Sequence, residues 1–288
     1  MPTWARHLRV IQVQGPDAHH LLNLLLTQQL VAFDLPAARE WLWLEAKGAI
    51  IAAGTAVLPD PETAWLVVDQ ELETTVVERL IRFRFSLKAD IDVRTDLAVY
   101  SDLHAGTAPP GPYPELTHEG HTWIVTYPYG YRDIIAPTQT VAPLPLVEGW
   151  DNWRVSAGVP RWGREIIAGT RTQELGLLPT HGHMQKGCYP GQESIAKIYN
   201  LGEVRRALCL LETPEPVQVG QIITEQKRPA PITSSNGTHA LAMISLNDGK
   251  APETIPLERQ SLPVVEVIGA KWAIPGGWRN TSDNTPLH

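Results

Sequence analysis

The period of the apolar positions changes several times along the chain, and each change marks a predicted element. Leu8, Val10, Ile11 and Val13 have strand-like spacing, and Gly15-Pro16-Asp17-Ala18 ends that run with Asp17 placed to cap a helix. Leu21, Leu22, Leu25 and Leu26 recur at helical spacing, which predicts a helix to about Leu30 with Gln28 and Gln29 at its exposed end. Segment 41–58 reads as a hairpin turning at Lys47-Gly48, where glycine permits a positive φ, and 64–68 reads as a further strand. Residues 71–85 gather Leu72, Val76, Val77, Leu80 and Ile81, with Glu78 and Arg82 at i,i+4 spacing, as an amphipathic helix does. Ile91, Val93, Leu97 and Val99 resume strand spacing, 106–114 holds four prolines and two glycines and must be a loop, and 121–127 adds a strand. This order predicts an α+β sandwich with helices on one face of an antiparallel sheet.

From 149 to 202 the apolar runs shorten and polar, glycine and aromatic residues stand between short helical stretches, so the functional site is expected there. Beyond 203 the strands 207–211, 221–224, 239–244 and 262–268 are separated by turn-rich segments and predict a small C-terminal β-barrel. The tail 276–288 is polar, and neither an internal repeat nor a coiled coil is present.

Composition narrows the class. A chain of 288 residues with 43% hydrophobic and 19% charged residues can bury a full core, which excludes disordered and fibrous proteins. A formal net charge of -7 offers no global attraction for nucleic acid, so no direct nucleic-acid partner is expected. No apolar run approaches the roughly 20 residues of a bilayer span, and the opening residues show neither a signal-peptide core nor an amphipathic leader. A cytoplasmic, monomeric protein without a membrane partner is the expectation. Two cysteines, Cys188 and Cys209, are too few for a four-thiolate zinc site or a Cys-only cluster.

The most specific stretch is Lys186-Gly187-Cys188-Tyr189-Pro190-Gly191-Gln192-Glu193, followed by the helical spacing of 192–199. Cys188 then precedes a helix N-terminus, where free N–H groups favour a thiolate, and Lys186 adds positive charge. A structural cysteine in a turn is the alternative. His181 and His183 stand before it at a spacing that is not a zinc pattern, so they read as loop histidines and no metal site is expected. Cys209, between Leu208 and Leu210, reads as a small core residue.

The octapeptide resembles the Lys-Gly-Cys-Tyr-x-Gly-Gln-Glu signature of the folate-binding YgfZ family. Val13-Gln14-Gly15-Pro16-Asp17-Ala18, Trp153-Arg154-Val155-Ser156-Ala157-Gly158-Val159-Pro160 with Glu165, Val204-Arg205-Arg206 with Leu208, and Ile232-Thr233-Ser234-Ser235 resemble further blocks of that family in the same order. The resemblance implies an α+β protein with two interleaved domains of the aminomethyltransferase type plus a C-terminal β-barrel. Residues 1–26 with 95–202 would form the first domain, 27–94 the second, 203–275 the barrel and 276–288 the tail. It implies tetrahydrofolate or a one-carbon derivative as ligand, with iron–sulfur cluster proteins or their assembly factors as partners. The implied role is assembly or repair of clusters, including those of tRNA-modifying enzymes.

On that resemblance Cys188 and Lys186 carry the chemistry, while Glu165, Arg154, Trp153, Tyr189, Gln192, Glu193 and Arg206 surround the folate. Glu165 could accept two hydrogen bonds from the pterin or stand as a solvated glutamate at a helix start. Arg154 and Glu174 could instead form a structural ion pair, Trp162 could stack on the pterin, and Arg205, Arg206 and Lys197 could hold the glutamate tail or form a charged surface. One departure matters. The related aminomethyltransferases carry an acidic residue just after a glycine-rich turn, and this chain has Lys47-Gly48-Ala49-Ile50-Ile51-Ala52-Ala53 there, which argues against aminomethyl transfer. A one-carbon transferase or demethylase using another carboxylate, and a scaffold without folate, remain the alternatives.

Overall fold

In this computed structural model residues 3–269 are described, apart from 105, 107–108, 110, 141–147 and 202–203. The polar tail therefore lies outside the described residues. The strands and helices run β1 (Thr3–Ala5), β2 (Leu8–Gln14), α1 (Ala18–Leu25), β3 (Ala37–Leu44), β4 (Ile50–Asp60), β5 (Thr63–Asp69), α2 (Glu73–Phe83), β6 (Asp90–Val93), β7 (Leu97–Leu103), β8 (Glu115–Glu119), β9 (Thr122–Thr126) and β10 (Tyr131–Pro137). Then follow α3 (Glu148–Ser156), α4 (Thr172–Leu175), α5 (Leu178–His181), α6 (Gln192–Leu201), β11 (Arg206–Glu212), β12 (Ile222–Ile223), β13 (Ala230–Ser235), β14 (His239–Ser245), β15 (Thr254–Leu257) and β16 (Gln260–Val267).

Three antiparallel sheets result, ordered β3-β4-β5-β2-β6, β1-β7-β10-β9-β8 and β12-β13-β14-β11-β16-β15. The first sheet is apolar on both faces, and the strand period of two assigns each residue to a face. Trp41, Trp43, Ala52, Ala56, Leu58, Leu66 and Ile11 form one core with α1 and α2. Gly54 lies on this face because a Cβ there would meet the Val67 carbonyl oxygen at 2.4 Å and the Trp41 ring at 2.9 Å.

The opposite face is graded along its length. Ala38, Val57, Val67 and Val10 pack against Val99, Val125 and Ile135 of the second sheet, which closes the sandwich. Leu42, Leu44 and Ile50 instead pack against Leu178, Tyr189 and Ile195 and the outer face of β11. Between these two apolar zones lies the pair Glu40–Thr55. The third sheet curls until its edge strands β12 and β15 approach each other, giving a nearly closed barrel filled by Cys209, Leu211, Ile232, Ile244 and Leu262. The run Leu208-Cys209-Leu210-Leu211 is uninterrupted because β11 is buried on both faces.

Several local expectations are corrected. Helix α1 stops at Leu25, and Gln28 is 1% exposed because 26–30 leave the helix and bend through the interior. The Asp17 carboxylate makes no cap bond and accepts from the Lys88 amide at 2.8 Å instead, tying α1 to the approach of β6. The first hairpin strand begins at Ala37, four residues before the apolar pattern suggests. Among the described residues no helix is long and apolar enough to cross a membrane.

Candidate functional site

A cavity of about 380 Å³ opens where the two N-terminal sheets face each other, between the zones packed by Ala38 and by Leu42. Register explains its polar floor. Glu40 pairs with Thr55 across β3 and β4, and Asp133 pairs with Ser101 across β10 and β7, so each sheet contributes one polar pair to the apolar face that the other sheet covers. The Tyr127 hydroxyl bridges them, 2.8 Å from Thr55 Oγ1 and donating to Asp133 Oδ2 at 3.0 Å.

Asp133 also accepts from the Ser101 hydroxyl and from the Arg6 guanidinium, at 3.0 and 3.3 Å to its two oxygens. The guanidinium lies 4.3 Å from the Trp150 ring centre, so the cation is held between a carboxylate and a π face. Tyr131 stacks on Tyr127 at 4.3 Å and meets Trp150 edge-on at 4.6 Å. The loop Pro160–Gly163 with Arg164 and Ile166 completes the lining on one side, and His181 at the end of α5 completes it on the other.

Glu40 is 5% exposed, and among the described residues its one ion-pair candidate is His181. Burial raises its carboxyl to about 8, opposed by the hydrogen bond that Tyr129 donates to Oε2 at 3.0 Å. His181 Nε2 lies 3.7 Å from Glu40 Oε1, but burial lowers the imidazole to about 3. Near neutral pH the contact therefore joins a protonated acid to a neutral imidazole and is not an ion pair. A buried carboxylic acid beside a carboxylate–guanidinium pair can donate and accept at neutral pH, which suits a neutral heterocycle with alternating donors and acceptors.

Apart from Trp162, which lines the cavity, the binding and catalytic candidates singled out from the sequence fall in other places. Glu165 Oε2 accepts from Arg154 at 2.9 Å and from the Arg161 amide at 3.2 Å, while Oε1 accepts from Ser234 at 2.6 Å. Both oxygens are thus engaged by the protein, and the buried cluster locks the 160–166 loop to α3 and β13. Trp153 packs behind Trp150 at 5.1 Å, so Trp150 and Trp162 are the tryptophans that line the cavity.

Lys186 does not face Cys188. Its ammonium donates to the carbonyls of Asn23, Leu26 and Gln28 at 2.6, 2.5 and 2.9 Å, capping the end of α1, and burial lowers it to about 7. Tyr189 is buried against Leu42, Leu44 and Ile50, and its hydroxyl pKa is pushed up to about 12 by burial. Gly191, at φ +85°, packs 2.7 Å from the Glu45 carbonyl oxygen as measured from an added Cβ, and Ser194 donates to the Ala46 carbonyl at 3.0 Å. The signature loop is therefore clamped to the tip of the β3–β4 hairpin, with Cys188 and Glu193 exposed and Gln192 half-buried.

Arg206 lies in a second cleft beside the barrel, held by Glu174 at 2.9 and 3.0 Å. The ion pairs are thus Arg154–Glu165 and Arg206–Glu174, a different pairing from the Arg154–Glu174 alternative. His181 and His183 are both buried, and no metal-ligand cluster occurs among the described residues. Cys209 is buried in the barrel with its thiol pushed up to about 12, as a core residue would be. Sequence reading missed Glu40 and Asp133. The available signal was phase, because Glu40 falls between Ala38 and Leu42 on the alternation that faces the core.

Comparison with known proteins places this architecture in a class. The crystal structure of the glycine cleavage system aminomethyltransferase T from Bartonella henselae superposes with a TM-score of 0.73 at 14% identity, covering 94% of this chain and 86% of that one. The chain has an aminomethyltransferase-like fold. A chloroplastic protein of Arabidopsis thaliana, provisionally named a transferase, is 28% identical over 124 residues. That match spans 42% of this chain and only 28% of the relative's length. No protein-family model matches the sequence.

Proposed function

We propose that this chain is a tetrahydrofolate-binding protein of the YgfZ kind, whose central cavity takes the pterin. The Cys188 loop then serves iron–sulfur cluster assembly or repair. The observation that carries the reading is the polar floor of the cavity, with Glu40 protonated near neutral pH and Asp133 held by Arg6, beside the rings of Tyr131 and Trp150. The donor set fits the group. A protonated carboxyl can donate to one ring atom while its carbonyl oxygen accepts from another, and a flat heterocycle matches aromatic walls. A cavity of about 380 Å³ is within the range of small-ligand sites, and Arg161 and Arg164 at its lining suit ligand carboxylates. The aminomethyltransferase-like fold and the Lys186–Glu193 signature support the same reading.

A second reading is a folate-dependent one-carbon transferase, favoured by Glu40 itself. Ala53, the last residue of the segment that lacks a carboxylate, pairs with Leu42, and Glu40 and Thr55 form the next pair on the same face. A buried group titrating near 8 can exchange a proton at neutral pH.

Anaerobic calorimetric titration of tetrahydrofolate separates these readings. Saturable binding is expected, weakened at least about tenfold in Glu40→Ala, the loss of one good buried hydrogen-bonded contact. Glu40→Gln mimics the protonated acid and is expected to keep binding at neutral pH. If it also keeps folate-dependent transfer from an aminomethylated carrier protein, the acid–base role fails. Absence of binding by the folded parent protein sinks both readings. For the cluster role, Cys188→Ala is expected to lower iron–sulfur enzyme activity in cells lacking the native protein, and undiminished activity removes the thiol from it.

A further inference from the structure

We propose that the cleft beside the barrel is a second ligand site, selective for a compact polyanion bearing phosphoryl groups. It is a separate space of about 930 Å³, walled by 169–174, by the start of β11, by the 227–228 loop and by the turn after β14. Its lining carries five cations, Arg171, Arg205, Arg206, Lys227 and Arg228, against two carboxylates, Glu174 and Asp248. The Arg206–Glu174 pair is closed at 2.9 and 3.0 Å, so four cations face one remaining acid. This reverses the sign of a chain whose formal net charge is -7, and four like charges in one cleft repel one another until an anion enters.

The cations stand on braced backbone. The Arg205 carbonyl accepts from the Leu246 amide at 2.8 Å, and the loop bearing Lys227 and Arg228 is tied to β14 by the Ser245 amide donating to Gln226 Oε1 at 2.8 Å. Arg171 is paired to Ala49 as an isolated bridge, which anchors its wall to the β3–β4 hairpin. The Gln226 amide nitrogen is buried and has no hydrogen-bond partner among the described residues. Four cations distributed over different walls of the cleft suit a tetrahedral oxyanion better than a planar carboxylate, because a phosphoryl group presents acceptor oxygens in several directions. Four cations against one acid call for a ligand of about three negative charges. The site is independent of the central cavity, and it stands whether or not that cavity binds folate.

The test is calorimetric titration of the full chain with inorganic tripolyphosphate and, in parallel, with a short oligoglutamate of similar charge. The expected result is one saturable tripolyphosphate site per chain that weakens as salt shortens the Debye length to about 8 Å. The double variant Arg171→Glu/Arg228→Glu changes two exposed residues and is expected to fold and to lose at least about tenfold in affinity, since two attractions become repulsions. Arg82→Glu, an exposed charge reversal on α2, is expected to bind as the parent does. No saturable binding, or equal losses in Arg82→Glu, overturns the site. Tighter binding of oligoglutamate than of tripolyphosphate overturns the phosphoryl assignment.

Discussion

Glu40 is the residue in which local pattern and tertiary environment conflict most. Its ordinary value of 4.5 is raised to about 8 by burial, so the sign of its effect on stability is set. Below about pH 4.5 both folded and unfolded states hold the proton, and the contribution is fully present. As pH rises to about 8 the unfolded state ionises first, and the fall in stability is on the order of 5 kcal/mol at most. Glu40→Gln removes this loss, so its stability relative to the parent is expected to rise between about pH 5 and pH 8 in urea denaturation. An unchanged difference across that range shows Glu40 ionised in the folded protein. His181 acts oppositely, because its value is lowered from 6.5 to about 3 and the stability it adds above 6.5 is lost as pH falls toward 3. The signature residues also divide. Lys186→Met leaves three buried carbonyls without their donor and is expected to cost about 2–4 kcal/mol, whereas exposed Cys188→Ser is expected to cost under about 0.5 kcal/mol. Denaturant midpoints measure both, and equal costs contradict the capping role.

At the scale of elements, the 160–166 loop and the β3–β4 hairpin position the cavity. The loop is held by Arg154, Glu165 and Ser234, which join α3, the loop and β13 within one buried cluster. Arg154→Met strands the Glu165 carboxylate and is expected to cost about 3–5 kcal/mol by denaturation, with part of the loss recovered in Arg154→Met/Glu165→Leu. Folate binding is expected to weaken in the single variant, because Arg161 and Trp162 line the cavity from this loop. Retained binding with lost stability confines the cluster to architecture. The hairpin works along its length, carrying Glu40 and Thr55 into the cavity while its tip receives Gly191 and Ser194 of the signature loop. Displacement at the tip therefore has a covalent route to the cavity floor.

Across the whole molecule, two clefts with opposite characters sit on one scaffold. The central cavity gathers carboxyl, hydroxyl and guanidinium groups between two sheets, and the barrel-side cleft concentrates cations. A ligand of the folded state alone stabilises it by mass action, by about 2.7 kcal/mol at a hundredfold excess over Kd. Tetrahydrofolate at that excess is expected to raise the thermal midpoint of the parent protein, and Glu40→Ala is expected to remove about half of the rise or more. An equal rise in both proteins places the ligand outside the central cavity.

Periodicity made the main elements legible, because alternation and helical spacing are properties of consecutive residues. The hairpin at Lys47-Gly48, the amphipathic helix α2 and the strands of the barrel follow from it. The octapeptide around Cys188 marked a specific loop, but its use was not legible, since only folding brings Lys186 to the end of α1 and Tyr189 onto Leu42 and Leu44. The cavity was not legible either. Arg6, Glu40, Ser101, Tyr127, Asp133 and His181 come from distant segments, and none forms a motif with its sequence neighbours. A charge in sequence carries no information about what will cover it. The sequence determined the hairpin's alternation from 41 onward, whereas only the extension of its first strand back to Ala37 and the packing of one sheet on the other decided that Glu40 would face the core, desolvated and protonated.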